Sequence, residues 1–257
     1  PAAAAPAAAA PAAPAKGGRR RKAAAPVVAP ARWREQLRAI ELARVRRDAP
    51  VDYLGCHTLG EPADGAANFR FQTLIALMLS VRTKDEVVAA AMQRLRALVG
   101  GDDGVLSAAA VANLDAPILL RAIDGVTFAG TKAPRVLEVA RSLVAAHDGD
   151  VPREYEELTA LPGVGPKVAH LLLHIGFDDV RGIAVDSHVD RIARRVGWAG
   201  GAKSPEATRK QLEAWMPREL WRPLNPLLVG FGQQLCSDRA PKCERCPLGE
   251  GGLCEYK

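Results

Sequence analysis

The chain has 257 residues, enough for one large domain or two modest ones with their own cores. No run of 18 apolar residues occurs, which argues against a membrane-spanning helix, and aromatic residues make up only 5%. The formal net charge is +6, but Lys16, Arg19, Arg20, Arg21 and Lys22 crowd into the first 22 residues, with no acid before Glu35. Without those five, 30 basic residues face 29 acidic ones, so a folded body can bind a polyanion only through a localised basic face.

Residues 1–30 are Pro/Ala-rich around that basic run, and such a composition cannot offset its ordering entropy; a disordered tail is expected. The run is compatible with a solvated tail, with nuclear import or nucleic-acid contact, or with an Arg-rich transit peptide. Beyond it, strand-like alternation is scarce and helical spacing dominates, which predicts an all-α fold. Trp33 to Arg47 reads as a helix with Trp33, Leu37 and Ile40 on one face. Phe69 to Leu79 is strongly apolar. Thr83 and Glu86 have the spacing of a capping box opening a helix over 85–99. Short helices are predicted over 107–114 and 116–123. Thr131 is placed to cap a helix to His147, with Pro134 in its first turn. Another helix covers 153–161, and Ser204-Pro205-Glu206 opens a further one.

Between 158 and 173 the pattern is helix, Gly163-Val164-Gly165, helix. Two glycines one residue apart permit a tight turn and close approach to another surface. Pro166 is suited to the first helical position, where free N–H groups can receive a phosphate oxygen. Such a hairpin grips DNA through its backbone, although the spacing alone also fits an ordinary helix corner. Lys167 falls in the first turn of the second helix, where the positive end of the dipole disfavours an ammonium. A neutral amine there can act as a Schiff-base nucleophile, or the lysine can simply contact phosphate. Farther on, apolar Ile183, Ala184 and Val185 lead into Asp186, which opens a helix over 188–196 and is either a plain N-cap or a carboxylate held ionised for chemistry.

Five cysteines occur, and four of them, Cys236, Cys243, Cys246 and Cys254, lie within the last 22 residues. An odd count clustered in this way speaks against a disulfide scaffold and for a metal site in a reducing compartment. Four thiolates this close suit zinc or an iron–sulfur cluster; the paired knuckles usual for zinc are missing, since only Cys243 and Cys246 form a CxxC pair.

Leu161-Pro-Gly-Val-Gly-Pro-Lys167, Ile183-Ala-Val-Asp-Ser-His188 and the terminal cysteines, in this order, resemble the endonuclease III family. The segments 48–52, 77–85 and 228–234 resemble its eukaryotic branch, and the likeness runs from about Trp33 to the C-terminus. The resemblance implies two helical domains: a six-helix barrel with the helix-hairpin-helix over 62–180, and an iron–sulfur domain built from 31–61 and 181–257, with the active site between them. It implies a [4Fe–4S] cluster on Cys236, Cys243, Cys246 and Cys254. It implies a monomeric bifunctional DNA glycosylase and AP lyase of base excision repair, in nucleus or mitochondrion. An oxidised pyrimidine is flipped out of duplex DNA, Lys167 attacks C1′ and expels it, and β-elimination at the resulting Schiff base nicks the strand. Asp186 activates the lysine or stabilises the sugar cation. Gly163, Val164, Gly165, Arg82, Phe128, Ser187 and His188 are the expected DNA contacts. A monofunctional adenine-mismatch glycosylase is the alternative enzyme, against which Lys167 argues; a non-catalytic DNA-binding protein is the other alternative. Three departures stand out: Arg82 replaces the family's usual Gln, Ala129 replaces a large aromatic beside the wedge candidate Phe128, and the last cysteine gap is seven residues instead of five.

Overall fold

The computed structural model describes residues 28–99, 104–254 and 256; the tail through residue 27, with its basic run, lies outside the described residues. The described chain is helical, with no strand among its described residues. Two buried apolar clusters organise it.

The first is built around α3 (Ala66–Ser80), in which every residue from Phe71 to Leu79 is buried. A helix apolar on all sides can only sit at the centre of a core. Packed around it are α4 (Asp85–Val99), α7 (Ala129–Ala146) and α9 (Pro166–Gly176). The shorter α5 (Ala108–Ala112) and α6 (Ala116–Ala122) lie against α7, and α8 (Tyr155–Ala160) against α9. The second cluster joins the early α1 (Trp33–Ala43) to α10 (Ser187–Arg195), α11 (Pro205–Trp215), α12 (Trp221–Gln234) and α13 (Pro247–Glu250). Trp33, Ile40, Trp198, Phe231 and Leu248 meet there. Full burial of side chains such as Ile40 and Phe231 contributes about 1.5–3 kcal/mol each, and truncating Phe231 to Ala would cost roughly 3–5 kcal/mol.

The two clusters are tied by α2 (Pro50–Leu54), which packs on both α4 and α12. Gln233 accepts the Val51 N–H at 3.1 Å and donates to Asp85 Oδ2 at 2.7 Å. Nearby, the fully buried Arg44 guanidinium bonds the Asp52 carboxylate and Gln234 Oε1, the latter at 2.6 Å. A buried cation on this scale is tolerated only because its partners are pre-placed.

Three sequence expectations are corrected. The first helix stops at Ala43 instead of Arg47, because Arg44 turns inward to its buried partners and Arg47 takes a left-handed φ of 49°. Thr83 does not close a capping box with Glu86: its hydroxyl instead receives Lys132 Nζ and the Thr127 N–H, and the first bonds of α4 run to the Lys84 carbonyl. Helix α7 starts at Ala129 with Phe128 in the N-cap position and no side-chain cap, rather than at a Thr131 cap, so Pro134 lies inside the helix, on its solvent-exposed face.

Candidate active site and cysteine loop

Helix α8 runs into Leu161-Pro162-Gly163-Val164-Gly165, and Pro166 then opens α9 at its first position. The Val164 side chain is buried in the first core and its N–H is donated to the Leu161 carbonyl at 3.1 Å, which pins the hairpin. Gly163, at φ 85°, needs the left-handed freedom of glycine, and Gly165 has an extended backbone with open space where a Cβ would stand. Both glycines are exposed, so the hairpin presents backbone and not side chains to whatever approaches.

Lys167, in the first turn of α9, is half-buried, and its Nζ lies 3.5 Å from Ser80 Oγ. That hydroxyl donates to the Leu77 carbonyl at 2.8 Å, so its lone pairs are turned to the amine. From the other core, Asp186 caps α10: Oδ1 accepts the N–H groups of His188 and Val189, both at 2.9 Å. Among the described residues Oδ2 takes no bond. Lys167 and Asp186 line the same cleft of about 1300 Å³, together with Ser80, Arg82, Asp85 and His188.

The environment of this cleft is titrationally unusual. Burial pushes the Asp85 carboxyl up, reinforced by Glu86 and opposed by Gln233 and the Lys167 charge. Burial holds the His188 imidazole below its ordinary range against the pull of Asp186. The Cys56 thiol, which also lines the cleft, is pushed up by burial and is therefore a protonated, unreactive group. Ser80 and Asp85 lie in the family-like segment 77–85, the one signal that points to them in the sequence, whereas Cys56 lies in no such segment; packing brings all three to Lys167.

Arg82 and Phe128 sit on two neighbouring turns at the exposed rim. Both have left-handed backbones, φ 57° and 61°, which is uncommon outside glycine, and Phe128 leaves 59% of its surface in solvent. Ser187 is exposed, while His188 is half-buried with Nδ1 3.1 Å from Arg191 Nη2.

At the far end of α10 the C-terminal loop is gathered by arginines. Arg191 Nη2 donates to the Cys236 carbonyl at 2.8 Å. Arg195 donates to the Ser237 and Asp238 carbonyls at 2.7 and 2.9 Å, and its Nη1 is 3.3 Å from Cys236 Sγ. All four cysteines are free thiols. Cys246 and Cys254 are pushed up by burial, and each also feels the charge of other members of the set. Among the described residues no three such groups are drawn tightly enough together to hold an ion.

A helical fold with a Gly-Val-Gly hairpin that feeds a lysine into a two-core cleft defines a class, and residues 75–218 match the profile of the HhH-GPD superfamily base excision DNA repair protein. The chain belongs to the endonuclease III family within that class and is a DNA glycosylase of base excision repair, a family whose usual second activity is AP lyase. It is 46% identical over 223 residues to Endonuclease III-like protein 1 of Bos taurus, covering 86% of this chain and 71% of that one. It is 42% identical over 227 residues to Endonuclease III homolog 1, chloroplastic, of Arabidopsis thaliana, with coverages of 86% and 58%. The fold matches a solved structure of a trapped endonuclease III–DNA covalent intermediate with a TM-score of 0.71 at 28% identity, covering 86% of this chain and 95% of that one. The family resemblance and the all-α expectation are thus borne out.

Proposed function

We propose that this protein, acting as a monomer on duplex DNA in nucleus or mitochondrion, removes oxidised pyrimidines and then cleaves the abasic strand, with Lys167 as nucleophile. The observation that carries this reading is that Lys167 and Asp186, brought in by different cores, line one cleft beneath an exposed hairpin. Gly163 and Gly165 let the hairpin approach a phosphate, whose oxygen meets the free N–H groups at the start of α9. The target base leaves the stack and enters the cleft. The Lys167 amine attacks C1′, the C1′–N bond to the base breaks, and its electron pair leaves with the base. Ser80 Oγ orients the amine, and Asp186 accepts the proton that the new N–C bond releases. The sugar ring then opens, the C1′–O4′ bond breaking and O4′ taking a proton as the C1′=N bond forms, and loss of a C2′ proton from this imine expels the 3′ phosphate by β-elimination. Arg82 and Phe128 are assigned to the gap left in the duplex, and Ser187 and His188 to the adjoining backbone.

The two cores are taken as two domains, 62–180 on one side and 31–61 with 181–257 on the other. Cys236, Cys243, Cys246 and Cys254 fit a [4Fe–4S] cluster by the chemistry of the set: four free thiols within the last 22 residues, with the Arg195 N–H directed at the Cys236 sulfur. When bound, the cluster staples a loop carrying Arg239, Lys242 and Arg245, cations suited to phosphate.

Borohydride trapping on a duplex bearing thymine glycol tests the mechanism. Wild type should cross-link to the DNA, and Lys167→Gln should lose both cross-link and base release while still binding. Cleavage of abasic DNA without any trapping would eliminate the lysine mechanism; neither trapping nor base release would favour a non-catalytic DNA-binding protein, and activity on an A:8-oxoG pair alone an adenine-mismatch enzyme.

A further inference from the structure

Lys132 is a lysine with only 8% of its surface exposed, in the first turn of α7. Its Nζ has a full set of acceptors: the Leu79 carbonyl at 2.7 Å, the Val81 carbonyl at 2.7 Å and Thr83 Oγ1 at 3.2 Å. These three belong to the end of α3 and the turn that follows it, and Arg82 lies in the middle of that turn. Thr83 Oγ1 also accepts the Thr127 N–H at 3.2 Å, from the residue immediately before Phe128. The Lys132 N–H itself is bonded to the Phe128 carbonyl at 2.9 Å.

One lysine therefore grips both rim turns. Each turn holds a non-glycine residue in the left-handed region, Arg82 at φ 57° and Phe128 at φ 61°. Such residues are strained and persist only where the surroundings over-determine them. A buried ammonium shared among three oxygens is such a restraint, because releasing any one of them leaves a desolvated polar group unmatched. Burial, with the neighbouring Lys167 charge, holds the Lys132 ammonium down to about 8, as expected for a cation kept inside for structural reasons.

We propose that Lys132 is a positioning residue that fixes Arg82 and Phe128 as one unit, so that the two side chains enter the duplex together. The proposal rests on the reading of Arg82 and Phe128 as gap-facing residues. Without the clasp each turn would sample other conformations, and both side chains would have to be ordered at the moment of base flipping.

The test uses the full chain and a duplex with a tetrahydrofuran abasic analogue opposite 2-aminopurine, whose fluorescence rises on unstacking. Lys132→Met removes the donor. Thr83→Val removes the shared acceptor and leaves the charge beside Lys167 unchanged, so it separates positioning from electrostatics. Both should lower the fluorescence rise and, on a second duplex bearing thymine glycol, slow single-turnover base release by roughly 10- to 100-fold, the scale of a misplacement rather than of lost chemistry. Adding Arg82→Ala or Phe128→Ala to either variant should cost much less than the same change in wild type. Full unstacking by Lys132→Met and Thr83→Val, or losses that simply add, would overturn the proposal while leaving the gap-facing reading intact. If Arg82→Ala and Phe128→Ala alone leave unstacking unchanged, that reading fails and the proposal with it. Should Lys132→Met not fold, Thr83→Val decides the matter alone.

Discussion

Asp186 and Arg195 stand at opposite ends of α10: the carboxylate caps the helix in the cleft, and the guanidinium holds Cys236 and its neighbours at the other end. At 1.5 Å per residue the helix separates them by roughly 13 Å. A rigid rod of this length sets the cysteine loop and the cleft in fixed relation, and each end can be disturbed separately.

At the cleft end, Asp186→Asn should leave the helix capped, because Asn serves as an N-cap about as well as Asp. Melting temperature should therefore stay near wild type while base release falls by roughly 10²–10⁴, the range for loss of a general acid–base group. Borohydride trapping on a preformed abasic site should persist weakly, since that substrate already offers an aldehyde. A large drop in melting temperature would instead make Asp186 a structural cap.

At the loop end, the purified protein should be yellow-brown and contain iron and acid-labile sulfide. Replacing any of Cys236, Cys243, Cys246 or Cys254 by Ser should release iron. Cys56→Ser should retain it, because Cys56 packs with the first core and lines the cleft. Stoichiometric zinc without sulfide would refute the cluster assignment.

The hairpin glycines should respond differently. A Cβ on Gly165 meets nothing within 4 Å, so Gly165→Ala should fold normally yet weaken binding to all DNA sequences alike by obstructing the phosphate. A Cβ on Gly163 would lie 3.2 Å from Arg135 Cδ at a left-handed φ, so Gly163→Ala should cost about 1–2 kcal/mol of stability as well. Chemical denaturation and salt-dependent binding isotherms separate the two effects. A loss at Gly165 confined to one sequence context would contradict backbone recognition.

At position 82, Arg82→Gln restores the residue usual in the family and keeps the same left-handed backbone demand. Activity on oxidised pyrimidines should rise, or the lesion range broaden, in a panel of single-lesion duplexes. Lower activity on every lesion would mean that Arg82 is adapted to this cleft.

His170 should confer acid lability. It is buried and stacked on Tyr155 at 4.8 Å between centroids, and neither ring nitrogen has a partner among the described residues. Burial, aided by Arg209 and His174, pushes it down to about 4. The unfolded chain, titrating near 6.5, then binds more protons than the folded one between these values. Stability is full above about pH 6.5 and falls as pH drops toward 4, by on the order of 1–3 kcal/mol. His170→Phe should keep the stack and flatten this part of the stability–pH curve; an unchanged curve would assign the lability to another group, such as buried His174.

The sequence by itself determined the helical class, the hairpin, Lys167, Asp186 as a helix opener and the clustered cysteines. These are local signals: glycine spacing, a proline at a first turn, a carboxylate before a helix, thiols on a short loop. What it left open depends on long-range approach. Thr83 has the local spacing of a capping residue, yet its hydroxyl goes to Lys132, 49 residues away in sequence. Arg44 reads as one more turn of an exposed helix, yet Asp52 and Gln234 draw it inside. Ser80 and Cys56 become neighbours of Lys167, and Asp85 feels its charge, only through the packing of α2, α3, α4 and α9. A buried polar group must find partners wherever the fold supplies them, and that requirement, unlike a cap or a turn, leaves no short pattern along the chain.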